Sequence, residues 1–158
     1  MTALSLFPDE VPTPLPSWCF VRLVREPGTA SRVAVKIRGP GDVQRLLRER
    51  VQQLDQEAFY IVALDSQSQV RAVHEVSRGI LNSSLVHPRE VFRAAILAGA
   101  AGIILVHNHP SGDPTPSADD RAVTRQMVDA GRLLDVPVYD HVILAGDRYV
   151  SFAEAGLL

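Results

Sequence analysis

The chain has 158 residues and a mass of 17.3 kDa, enough for one domain with its own core and too short for two of ordinary size. Eighteen acidic against sixteen basic side chains leave a formal charge of −2, which excludes a surface built as a whole to neutralise phosphates. The 46% apolar content excludes wholesale disorder, Cys19 as the single cysteine excludes an internal disulfide or a Cys-rich zinc cage, and the longest apolar run, residues 94–106, is shorter than the roughly 20 residues of a membrane helix.

Residues 1–17 carry Pro8, Pro12, Pro14 and Pro16 and no positively charged start before an apolar stretch. They are expected to form a loose leader rather than a secretory signal, with a single domain over 18–158 and a cytoplasmic location. Two short strands are predicted over 19–24 and 32–37, with a Glu-Pro-Gly-Thr turn between them. Asp42 stands where an N-cap would, and Val43, Leu46, Leu47, Val51 and Leu54 follow at spacings of three and four, so a helix is predicted over 42–55.

Runs 58–64 and 70–76 are rich in strand formers and flank Asp-Ser-Gln-Ser-Gln, as a hairpin does, and 80–84 is a further strand candidate. Pro88 suits a first helical turn, and Val91, Ala94, Ala95 and Ala98 then form a small-residue face suited to close packing. Residues 102–106 are apolar on both strand faces, which predicts a central strand covered from both sides. Turn formers crowd 107–116, after which a helix is predicted over 117–134 and strands over 137–144 and 148–152. Alternating strands and helices predict an α/β sheet with helices on its faces.

Side chains two apart on a strand share a face, so Ile103, Leu105, His107 and His109 form one row while Asn108 faces the other way. Buried histidines alone are better explained by core hydrogen bonds than by a metal. In the following helix, however, Asp120 shares the inward stripe of Val123, Met127, Ala130 and Leu134, whereas Asp119 lies with Ala122 and Gln126 toward solvent. Two imidazoles and one carboxylate match a three-ligand catalytic zinc set, with the fourth tetrahedral position left to water. The structural alternative is a capping box between Ser117 and Asp120, for which Asp is short and which leaves both histidines unexplained. A general base is also needed. Of Glu57, Glu75 and Glu90, Glu57 is preferred because it stands immediately before an apolar strand, at a sheet end, while Glu90 suits a helix first turn and Glu75 a half-exposed strand position.

The run His107-Asn-His-Pro-Ser-Gly-Asp-Pro-Thr-Pro-Ser117-Ala-Asp-Asp120 resembles the JAMM motif of the JAB/MPN metalloprotease superfamily, His-x-His-Pro followed by a loop and Ser-x-x-Asp. Ser83-Ser-Leu-Val-His-Pro-Arg-Glu90 upstream and Asp140-His-Val-Ile143 downstream resemble the RadC subfamily in particular, and the likeness spans residues 55–158. It implies a cytidine-deaminase-like, three-layer α/β/α sandwich with a mixed central sheet, and zinc-dependent hydrolysis of peptide or isopeptide bonds. Carried onto this chain, it makes His107, His109 and Asp120 the ligands of one zinc per chain. Glu57 becomes the base acting on a metal-bound water, and Ser117 the hydroxyl that holds the water or the oxyanion. Asp140 and His141 are candidates for orienting the metal-bound imidazoles, set against an ordinary strand-face hydrogen bond.

The partner implied is a protein or peptide, with neither nucleic acid nor membrane expected. Full-length RadC proteins carry a helix-hairpin-helix region ahead of this domain, and no basic, Gly-rich hairpin stands in residues 1–54. The segment between Ser84 and Pro88 is short, without the long insertions by which deubiquitinating members grip ubiquitin. Two rival functions stay open, a non-catalytic scaffold that keeps the fold and a DNA-repair-associated accessory factor. Nucleobase deamination is set aside, because its zinc signature needs cysteines that the chain lacks.

Overall fold

A computed structural model describes residues 35–79 and 86–158, so the leader 1–17, the strand 19–24, most of the strand 32–37 and the strand 80–84 lie outside the described residues. Five strands form one sheet: β1 (Ala58–Leu64), β2 (Val70–Arg78), β3 (Gly102–Asn108), β4 (Val138–Ala145) and β5 (Arg148–Ser151), in the order β2-β1-β3-β4-β5. Only the β3–β4 pair is parallel, and the crossover that a parallel pair requires is the helix α3 (Ala118–Leu134). The sheet is therefore mixed.

Every residue of β1 and of β3 is buried, because helices cover both faces. On one face, α1 (Pro40–Val51) packs Val43, Leu47 and Val51 over Tyr60, Val62, Ile104, Val106, Val142 and Leu144. On the other, α2 (Pro88–Leu97) and α3 pack Val91, Phe92, Val123 and Met127 over Phe59, Ile61, Ile103 and Leu105. The alternation of the strand residues divides them between the two cores, which gives the expected three-layer α/β/α sandwich.

Several elements depart from expectation, most by one or two residues at an end. Helix α1 begins at Pro40, not Asp42, since Pro is preorganised for the first helical position and Gly39 takes the N-cap. Asp42 instead sits in the first turn, accepting from Arg38 N at 2.7 Å and pairing with Arg45. The helix stops at Val51, yet Leu54 still packs against its core. Strand β3 runs two residues past Val106, because β1 and β4 both offer ladder partners there, Phe59 to His107 and Leu144 to Asn108. The inward face of α2 is not made of small residues alone: Phe92 is buried beside Val91 and Ala95. No helix among the described residues is long and apolar enough to cross a membrane.

Candidate metal centre

The added length of β3 aims its last residues. His107 is 1% exposed and stacks on Phe59, its neighbour across the ladder, at 6.1 Å between ring centroids. His109 lies just past the strand, where its N–H still donates to Leu144 O at 2.8 Å. The chain then turns sharply: Gly112 N donates to His109 O at 3.1 Å, Arg148 donates to Gly112 O, and Asp113 O lies 2.7 Å from His109 Nδ1. Alternation therefore brings His107 and His109 to the same face, as expected, with their Nε2 atoms 2.9 Å apart.

The N-terminus of α3 supplies the carboxylate. Ser117, extended at φ −73° and ψ 172°, accepts from Asp120 N at 3.1 Å and donates its own N–H to Asp120 Oδ2 at 2.7 Å. A capping box thus forms although Asp is short for it, because the extended N-cap backbone brings its N–H within reach. Box and ligand cluster are not alternatives. The same carboxylate sets Oδ1 3.1 Å from His107 Nε2 and Oδ2 3.6 Å from His109 Nε2. Asp119, one residue earlier, is exposed.

Ligand atoms of His107, His109 and Asp120 all lie within 4.8 Å of one another, and the three residues could hold a metal ion. Their chemistry suits one. A carbonyl oxygen can only accept, so Asp113 O obliges His109 Nδ1 to carry a hydrogen; Nε2 then turns a lone pair toward the carboxylate when the ring is neutral, and donates to it when the ring is charged. Burial pushes the Asp120 carboxyl up, but hydrogen bonds from His107, His109 and Ser117 outweigh it and hold the group well below the usual carboxylate range. His109 is raised above the ordinary imidazole value, chiefly by its hydrogen bond to Asp120, against burial, with support from Asp113 O and the charge of Glu57. The site accordingly favours positive charge at the point where the three side chains meet.

Glu57 directly precedes β1, and strand alternation continues the face of Phe59 through it, the face of both histidines. Its backbone is clamped from the opposite face. Asn108 Oδ1 accepts from Ala58 N at 2.8 Å, Asn108 Nδ2 donates to Gln56 O at 3.1 Å, and Gly79 N donates to Glu57 O at 2.8 Å. A pocket of about 410 Å³ opens here, lined by Asp55, Gln56, Glu57, Gly79 and Pro110. The other two glutamates lie elsewhere. Glu75 accepts from Tyr60 and Arg78, and Glu90 pairs with Arg89 and Arg93.

Of the two β4 candidates, only the imidazole reaches the cluster. His141, 0% exposed, places Nε2 2.8 Å from His107 Nδ1, and burial, then the neighbouring His107, holds its value well below that of a free imidazole. Asp140 points the other way and accepts from His141 N, Ala153 N and Ser151 Oγ at 2.7, 2.9 and 2.6 Å, an ordinary structural role that ties β4 to the end of β5. Sequence reasoning missed Thr124, whose hydroxyl lies 2.6 Å from His141 Nδ1 and 2.5 Å from Asp120 O. Its position four residues after Asp120, one helical turn along the inward stripe, was the available signal.

A family model described as the RadC-like JAB domain matches residues 37–157, and so takes in α1, ahead of the point at residue 55 where the motif likeness begins. A UPF0758 protein of Desulfitobacterium hafniense is 48% identical over 122 residues, 77% of this chain and 54% of the relative. One from Moorella thermoacetica is 52% identical over 122 residues, 77% of this chain and 53% of its own length. One from Roseiflexus castenholzii is 48% identical over 122 residues, 77% and 52% of the two chains. The chain spans about half the length of the curated relatives it matches.

Proposed function

The chain belongs to the RadC-like JAB domain family, and on that premise we propose that it is a cytoplasmic, zinc-dependent hydrolase of peptide or isopeptide bonds. The observation that supports this is the meeting of His107 Nε2, His109 Nε2 and the Asp120 carboxylate at one end of the sheet, on the face that Glu57 shares. These three residues would hold one zinc per chain, a ligand set that leaves a position open for chemistry. Bound there, zinc supplies Lewis acidity, which lowers the pKa of water toward about 7 and polarises a carbonyl.

The remaining steps belong to the chain. Glu57 takes a proton as water adds its oxygen to the carbonyl carbon, and returns it to the amine nitrogen as the C–N bond breaks. Ser117 Oγ accepts from Asp120 N and keeps its own hydrogen to donate to the carbonyl oxygen as that atom gains negative charge. The pocket beside Glu57 receives part of the substrate backbone. A formal charge of −2 favours a protein or peptide partner over a nucleic acid.

Metal analysis of the wild type beside His109→Ala and Asp120→Ala, followed by a peptide-library digest with Glu57→Ala as control, tests the proposal. One zinc per wild-type chain, lost in both ligand variants, and cleavage lost in Glu57→Ala would support it. Zinc bound without any cleavage would favour the scaffold function, and no zinc at all would defeat the hydrolase.

A further inference from the structure

Behind His107, on the side away from the ligand cluster, a buried hydrogen-bonded chain runs His107–His141–Thr124 and ends on the backbone carbonyl of Asp120. We propose that Thr124 and His141 are positioning residues that fix the tautomer of His107, so that its Nε2 turns a lone pair toward the metal; the purpose, though not the chain of hydrogens, rests on the metal site proposed above.

The direction of every hydrogen in this chain follows from one acceptor-only atom. Thr124 Oγ1 lies 2.5 Å from Asp120 O, a carbonyl oxygen that can only accept, so the single hydroxyl hydrogen goes there. The same Oγ1 lies 2.6 Å from His141 Nδ1 and has no second hydrogen to give. His141 Nδ1 must therefore be the donor. His141 is 0% exposed, between Phe152 at 4.8 Å and Phe59 at 5.6 Å, an apolar surrounding that disfavours a charged ring. A neutral imidazole carries one N–H, which leaves His141 Nε2 bare and able only to accept.

His107 Nδ1, 2.8 Å away, must then carry a hydrogen. In the neutral ring the remaining nitrogen of His107, Nε2, is then bare, and it is the atom 3.1 Å from Asp120 Oδ1 and 2.9 Å from His109 Nε2. Asp120 thus acts at both ends of one circuit. Its carbonyl starts the relay and its carboxylate stands beside the ring that the relay orients. His109 reaches the same tautomer by a shorter route, through Asp113 O. The two imidazoles are set by separate means, one from a backbone carbonyl at the surface and one through two buried side chains.

The deciding experiment is a two-bond 1H–15N imidazole spectrum of the metal-free wild type, Thr124→Val and Thr124→Ser, about two pH units above the free imidazole value, together with zinc affinity by competition against a chromophoric chelator. His107 and His141 are expected as Nδ1–H tautomers in the wild type and in Thr124→Ser. Thr124→Val, close in shape but without an acceptor, is expected to invert His141, to move the His107 hydrogen to Nε2, and to weaken zinc binding about 10- to 100-fold. A wild-type His107 protonated at Nε2 would overturn the relay, as would a Thr124→Val protein with unchanged tautomers and unchanged affinity. The wild-type spectrum decides the tautomer even if the valine variant does not fold. A wild type with both Nδ1–H tautomers that takes up no zinc would defeat the metal site and leave the relay standing.

Discussion

His107 and Asn108 are neighbours at the end of β3, both buried and both polar, and they point to opposite faces of the sheet. Asn108 has its amide used inside the protein, accepting from Ala58 N and donating to Gln56 O. His107 has one nitrogen tied to His141 and the other turned toward a carboxylate and a second imidazole nitrogen. A buried polar group whose partners are all complementary holds the fold together. A cluster in which acceptors face one another has an electrostatic need that a cation meets. One strand end thus supports both, with the closed face holding the backbone on either side of Glu57 while the open face gathers the ligand atoms.

The sharpest way to break this contrast is to remove a ligand from the open face. Asp120→Ala is expected to reduce zinc content to background, read by elemental analysis, and to weaken the metal-free fold by about 1 kcal/mol through loss of its part in the capping box. Next comes the residue clamped between the faces. Glu57→Gln is expected to keep one zinc per chain while cleavage of any peptide substrate found falls about 10²- to 10⁴-fold, the range of a lost general base.

On the closed face the effect moves from chemistry to stability. Asn108→Ala leaves the buried Ala58 N–H without its acceptor and is expected to cost about 1–3 kcal/mol in urea denaturation, with zinc stoichiometry retained. Equal loss of metal and of stability in that variant would erase the contrast. The smallest effect concerns Tyr60, also on the closed face. Burial, then its hydrogen bond to Glu75 and the charge of that group, pushes its phenol up to about 12. A folded value above the unfolded one means that the stability it contributes is complete below about pH 10, where the unfolded phenol keeps its proton, and is lost as the pH rises toward the folded value. Ultraviolet absorbance titration should find one of the three tyrosines ionising late, and Tyr60→Phe should remove that late step.

Much of the sandwich was legible because strand and helix periods are local. The all-apolar run 102–106 announced a strand covered on both faces, and the 117–134 stripe announced a helix with Asp120 turned inward. The ends of elements were less legible, since they depend on neighbours. β3 reaches Asn108 because β1 and β4 run alongside it, and α1 starts at Pro40 although Asp42 has the better capping side chain. Ser117 and Asp120 looked like a choice between cap and site. The structure forms the cap and still leaves Asp120 in the cluster that could hold a metal, because one carboxylate reaches Ser117 N and both histidines.

The sequence by itself determined the order of elements, the face shared by His107 and His109 and the inward turn of Asp120, because each follows from a repeat of two or of 3.6 residues. Tertiary structure alone decided which of Asp140 and His141 meets the cluster, and that Thr124 closes the chain behind it. Asp140 and His141 are adjacent on β4, and their opposite fates depend on which layer lies over each face. Thr124 meets His141 only because the crossover helix is laid across the strand that follows it, a contact between residues 17 positions apart that no local period encodes.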